Sequence, residues 1–222
     1  MTVRSSCVIA LALLYCAIAA GDDTDIAGLQ LRADRGDPQA QAELGLWYHE
    51  TGDYAQSAAW MLKAADQGHP GAQLAYGFMA LNGEGMPADD VLAAQWIRRS
   101  AEQGMSTAQD ILSTLYSLGS GVPQDDAAAL DWATRAAEQG DPKGQFHAGF
   151  YLCCKMPSTI AYDEVTAVMW FTLSSKAGHP KSAVFLAGVG ADLSAAEKAE
   201  VDRRVNEWLR THRQQPYRGG GR

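Results

Sequence analysis

Five histidines (His49, His69, His147, His179 and His212) and two adjacent cysteines (Cys153 and Cys154) are the side chains best suited to chemistry in this 222-residue chain. Histidine can act as a general base or bind a metal, and a thiolate can act as a nucleophile or a soft ligand. Hydrolysis needs more than the residue type: a nucleophile held against a base, or a metal held by three or four ligands. No H-E-x-x-H, G-x-S-x-G or phosphate-binding loop is present. His147 and Cys154 stand seven residues apart, about 10.5 Å along one helix and too far to share a metal directly. Adjacent cysteines have α-carbons about 3.8 Å apart, below the ~4.4 to 6.8 Å of an ordinary disulfide, so joining them asks for strained backbone. Two small hydrophobes in a helix are the expected state, with an intermolecular bridge in an oxidising compartment as the alternative. The expectation is therefore no catalytic residue, no cofactor and no metal.

A repeat sets the positions of these residues. The phrase "AADQG" at Ala64 to Gly68 returns as "SAEQG" at Ser100 to Gly104 and "AAEQG" at Ala136 to Gly140, 36 residues apart each time. Glycine recurs at Gly36, Gly68, Gly104, Gly140 and Gly178; eight residues before the last four stand Trp60, Trp96, Trp132 and Trp170. Seven residues before those stand Asp53, Asp89, Asp125 and Asp163. The aspartate suits a helix N-cap, and the glycine suits the left-handed turn past that helix's end. Between each glycine and the next aspartate runs a second apolar segment, with proline near its start at Pro38, Pro70, Pro142 and Pro180. Four and nine residues after the glycine come small residues, which permit close helix packing. Five after it comes glutamine at Gln41, Gln73, Gln109 and Gln145. Because that glutamine recurs in unit after unit, it reads as hydrogen bonding between units rather than as an active site. His69 and His179 follow equivalent glycines and read as turn residues. Helix, turn, helix with a period of 36 predicts an all-α solenoid of antiparallel pairs.

The ends differ from the middle. Arg4 precedes an uninterrupted apolar or small run from Val8 to Ala20 that closes on Ala17, Ile18 and Ala19. This predicts a signal peptide over residues 1–20, because the run is short for a bilayer span; an uncleaved membrane anchor is the alternative. Cleavage would leave 17 basic and 26 acidic residues, a balance that disfavours nucleic acid. The predicted solenoid covers 21–212, in units of about 33–63, 64–99, 100–135, 136–174 and a degenerate 175–212. Ser194 and Glu197 form a capping-box pair that opens a closing amphipathic helix. Residues 213–222 read as a flexible tail, and the run of Arg210, Arg213, Arg218 and Arg222 offers the chain's one prospect of membrane contact.

The unit "AADQGHPGAQLAYGFMALNGEGMPADDVLAAQWIRR" at Ala64 to Arg99 closely resembles the Sel-one-like repeat (SLR), a relative of the tetratricopeptide repeat. The match rests on the G-x-x-x-A-Q start, the small Gly77, the Gly83 and Gly85 turn, the aspartate and the tryptophan; "GSGVPQDDAAALDW" at Gly119 to Trp132 repeats it. The resemblance implies a right-handed superhelix serving as an adaptor between proteins, often secreted or in the bacterial envelope. Some cysteine-rich members are associated with β-lactam binding or weak hydrolysis, through repeats that carry paired cysteines. This chain lacks those pairs, so that activity stands only as the alternative.

For a binding module the question is which face is free. Positions six, seven and ten after the glycine lie outside the small-residue rows: Ala42, Glu43, Leu46; Leu74, Ala75, Phe78; Asp110, Ile111, Thr114; Phe146, His147, Phe150. Among these Leu46, Leu74, Phe78, Asp110, Thr114, Phe146, His147 and Phe150 are the expected contacts for a protein or peptide on a concave face. The phenylalanines would be its anchors, though packing between units is an equally open reading for any one of them.

Overall fold

The computed structural model describes residues 26–154 and 161–212. The predicted leader, the first residues after it and the tail lie outside the described residues. Among those described there are eleven helices and no strand: α1 Ile26–Asp34, α2 Pro38–Glu50, α3 Tyr54–Asp66, α4 Pro70–Asn82, α5 Asp90–Glu102, α6 Ser106–Leu118, α7 Asp126–Glu138, α8 Pro142–Cys153, α9 Glu164–Lys176, α10 Ser182–Val189 and α11 Ala195–His212. Packing runs helix on helix from α1 through α5 and from α7 through α10, with α11 also on α9, so the predicted all-α succession of helix pairs is the architecture. None of these helices is long and apolar enough to cross a membrane. The chain divides into two compact units, an N-terminal one through Ala108 that also holds Ser120–Pro123, and a C-terminal one built from Gln109–Gly119 and the residues from Gln124 onward.

The landmarks work locally as their chemistry dictates. Asp53, Asp89, Asp125 and Asp163 accept from the backbone N–H groups of Gln56, Leu92, Ala128 and Thr166, capping α3, α5, α7 and α9. Each such cap is worth about 1 kcal/mol. Gly68, Gly104, Gly140 and Gly178 have φ between 83° and 89°, the left-handed region that only glycine enters cheaply. The "GEG" and "GSG" turns have a further reason for glycine. A β-carbon on Gly85 would overlap the Tyr54 carbonyl, and one on Gly121 the Asp90 carbonyl.

Tryptophan supplies the burial. Trp60, Trp96 and Trp170 are 7, 7 and 6% exposed, each contributing roughly 2 to 3 kcal/mol. A cation one turn later covers the outer ring face in three units: Lys63 over Trp60, Arg99 over Trp96 and Arg135 over Trp132, at 3.4, 4.2 and 4.5 Å from the ring centroid. The matching place in α9 is Leu173, which is buried in a cluster with Val201 and Val205 of α11. The closing helix therefore lies on the outer side of α9. Its capping box forms as expected, with Glu197 accepting from the Ser194 N–H at 2.8 Å and the Glu197 N–H donating to Ser194 Oγ at 3.3 Å.

The cysteines depart from expectation. Cys153 and Cys154 are joined to each other, with α-carbons 3.8 Å apart, instead of standing as two reduced helical residues. The expectation assumed that the helix runs through both; α8 ends at Cys153, and Cys154 takes φ −123°, outside the helix.

Candidate functional site

In both units the glutamines show what the recurring phrase is for. Gln41, Gln73 and Gln145 donate to the carbonyls of Ala33, Ala65 and Ala137, three residues before their own glycines. The glutamine at the end of the same unit's second helix then donates to it: Gln67 to Gln41, Gln103 to Gln73 and Gln139 to Gln109, each at 2.7 Å. Gln41, Gln73 and Gln109 are each 5% exposed and Gln145 1%, so these bonds satisfy amide groups that would otherwise be buried unpaired. Before Gly178 the phrase has Ala177 in place of glutamine, and Gln145 Oε1 is buried without a hydrogen-bond partner.

A second ladder runs between the first helices of successive units. At three places the residue six after one glycine is brought together with the residue seven after the next. Ala42 and Ala75 share a buried cluster, Asp110 meets His147, and Phe146 lies against Phe185 with ring centroids 5.2 Å apart. This corrects the expected contact set. Leu46, Leu74, Phe78, Asp110 and Phe146 are 7, 3, 2, 4 and 8% exposed and present no open side chain. Positions six and seven are packing positions between units, and α4 is buried nearly all round, as an apolar helix without a polar face must be. Thr114, His147 and Phe150 remain half-buried.

In the C-terminal unit one rung of this ladder is charged. Asp110 on α6 accepts from His147 Nδ1 on α8 at 2.5 Å. Tyr151, one turn beyond His147, hydrogen-bonds to Ser113, Ser117 and Thr114 of α6. Phe146, Phe150, Phe171, Phe185 and His179 form an aromatic group beside it, with Phe146 4.6 Å from the His179 ring. Burial opposes the charge on His147, yet the Asp110 carboxylate, through its field and its hydrogen bond, raises the imidazole's pKa overall, with Asp141 adding to it. A histidine that holds its proton this way is a poor base. It serves as a fixed donor between two helices.

The other histidines are also engaged. His69 Nδ1 accepts from the Ala72 N–H, capping α4 where Asp37 caps α2 and Asp141 caps α8. Burial lowers its pKa, which suits an acceptor. His179 Nδ1 pairs with Ser182 Oγ at 2.9 Å, so the turn role read for both residues is the one they hold. His49 meets Glu84 at 3.0 Å and His212 stacks on Trp208. Among the described residues, no three of His, Cys, Asp and Glu are grouped to hold a metal.

Residues 38–69, 70–105, 106–141 and 142–179 each match the Sel1 repeat. The chain belongs to the Sel1 repeat family. Such repeats generally serve as protein–protein interaction scaffolds. A Sel1 repeat protein from Oxalobacter formigenes is 31% identical with a TM-score of 0.68, over 76% of this chain and 50% of that one. The protein c5321, a protective antigen of uropathogenic Escherichia coli displaying an SLR fold, is 29% identical with a TM-score of 0.68, over 83% and 41%. This Sel1 repeat chain thus spans half or less of both. No protein of curated function matches it.

The glutamine ladder of this Sel1 repeat chain was visible in the sequence, but its partners in the recurring phrase were not singled out; the fixed 26- and 30-residue separations of the bonded pairs were the signal available. The Asp110–His147 pair stands 37 apart, close to one repeat, and was named as two separate contacts.

Proposed function

We propose that this chain is an exported, non-catalytic scaffold of the bacterial cell envelope that binds a protein or peptide through the first helices of its repeats. The observation that carries the reading is four consecutive Sel1 repeats in which glutamines and His147 are used to join one unit to the one before it. Within the C-terminal unit, the half-buried Thr114, His147 and Phe150 supply a hydroxyl, an imidazole and an aromatic edge, a composition suited to a partner's apolar and polar side chains. The leader-like Val8–Ala20 run supports export, as does the description of c5321 as a protective antigen. The test is crosslinking and pull-down of the processed protein in its own cells, comparing wild type with Thr114→Arg plus Phe150→Glu after circular dichroism shows both to be helical. Partners recovered by wild type and lost in the variant would support the face. Identical recovery would overturn it and turn attention to the Arg210–Arg222 tail. A mature N-terminus that retains Val8–Ala20 would sink the cleaved-export reading in favour of an anchor.

A further inference from the structure

The two terminal helices are incomplete in complementary ways. In three earlier units the small residue nine after the glycine lies against the second helix of its own unit: a β-carbon there would touch Met61 at Gly45, Ile97 at Gly77 and Phe171 at Gly149. Ala187 holds that place in α10 and is exposed, together with Ala183 and Val184, the latter 72% exposed. The helix that follows, α11, lies against α9. So α10 is a first helix whose receiving face is small, apolar and open. At the other end, α1 ends in Ala33, Asp34, Arg35 and Gly36, in register with Ala65, Asp66, Gln67 and Gly68 of the second helix α3. Among the described residues α1 has no first helix of its own. It exposes Ile26, at 36%, in register with Ala58, Ala94 and Val168 of α3, α5 and α9, which are buried at 7, 1 and 5%.

We propose that copies of this chain associate head to tail, α1 of one copy serving as the second helix that α10 of its neighbour lacks. Residues 213–222 carry no aliphatic side chain with which to cover that face, and Val8–Ala20 is expected to leave with the leader. Charge also matches. Within a unit the end of the second helix sits at the start of the first, where Ser100 donates to the Pro70 carbonyl and Ser174 to the Pro142 carbonyl. In that register Asp34 of the incoming α1 arrives beside Lys181 and His179 at the start of α10. The contact is heterologous, so it can repeat without closing.

The experiment is sedimentation of the processed chain over a hundredfold concentration range, with Ile26→Arg and Ala187→Arg as separate variants. Both positions are exposed, and circular dichroism would register any loss of helix. Wild type is expected to grow in mass with concentration and each variant to remain monomeric. An equimolar mixture of the two variants is expected to form dimers and nothing larger, since it restores a single intact α10–α1 pair. A wild type that stays monomeric throughout, variants that still associate, or a mixture that stays monomeric would each overturn the proposal.

Discussion

Interior and terminal parts of the repeat are built from the same phrases with different endings. At Gly68, Gly104 and Gly140 the phrase supplies a glutamine that reaches back to the first helix of its own unit. Three second helices likewise carry a cation over tryptophan. Before Gly178 the glutamine is Ala177 and the cation is Leu173. The difference teaches that an interior unit faces another unit on one side and water on its outer helix, whereas the last must also seat α11. A solenoid ends where its last second helix offers an apolar surface to a cap.

The largest expected effect comes from forcing the interior pattern on the end. Leu173→Arg places a charge beneath α11, where Leu173 is 2% exposed, and is expected to cost about 4 kcal/mol. The reciprocal Arg135→Leu, at an exposed side chain, is expected to stay within about 0.5 kcal/mol. Urea melts of the pair check this, and equal losses would show that α11 does not depend on that place. Next comes the turn that only the interior uses. Gly85→Ala adds a clash with the Tyr54 carbonyl to a left-handed backbone, at about 3 kcal/mol in all. Gly68→Ala meets nothing within 4 Å and carries only the conformational cost of about 1 kcal/mol.

The charged rung sharpens the comparison within the inter-unit ladder. Asp110→Ala strands His147 and is expected to cost about 2 kcal/mol. Its pH dependence has a definite sign: the pKa of His147 is raised in the folded protein. The pair's contribution is therefore fully present below the unfolded value near 6.5 and is lost as pH rises through the folded one. Thermal melts should show the Asp110→Ala penalty larger at pH 6 than at pH 9. Replacing both residues by leucine, as the apolar rungs suggest, is expected to cost less than the single change.

Much of the fold was legible because helix caps, left-handed glycines and buried tryptophans act through neighbours a few residues away, so a repeat displays them four times over. The candidate site was less so. Constancy at Gln41, Gln73, Gln109 and Gln145 correctly signalled packing between units, but variation at positions six and seven was read as freedom. Ala42 with Ala75, Asp110 with His147 and Phe146 with Phe185 show another cause: each pair must match across a seam, and different pairs can fill it equally well. Variation within a repeat marks matched interfaces as readily as open surface. The joined Cys153 and Cys154 were hidden for a different reason, since nothing local shows that α8 stops at Cys153.

Ala177→Gln restores the missing interior donor. Gln145 Oε1 is buried and unpaired, and a glutamine at an exposed place before Gly178 would reach it as Gln139 reaches Gln109. The expected gain is about 1 kcal/mol, read from the urea midpoint with the slope unchanged. An unaltered midpoint would mean that the last seam is spaced differently from the interior ones.

The smallest effect concerns the cap that sets α4 apart from α2 and α8. His69→Asp gives α4 the side chain that caps the other two, and at pH 7 the change is expected to be worth only a few tenths of a kcal/mol, partly offset by losing the His69 bond to Gln39. Its value lies in pH. Burial lowers the pKa of His69 in the folded protein, so its contribution is present above about 6.5 and is lost as pH falls through the lower folded value. An aspartate stays ionised well below that range. The stability difference should therefore move in favour of His69→Asp between pH 7 and pH 5, in the direction opposite to the fading of the His147 pair at high pH. Hydrogen exchange at the Ala72 amide reads the cap itself. A constant difference across that interval would show that His69 caps α4 equally well in both protonation states, which an acceptor at Nδ1 does not allow.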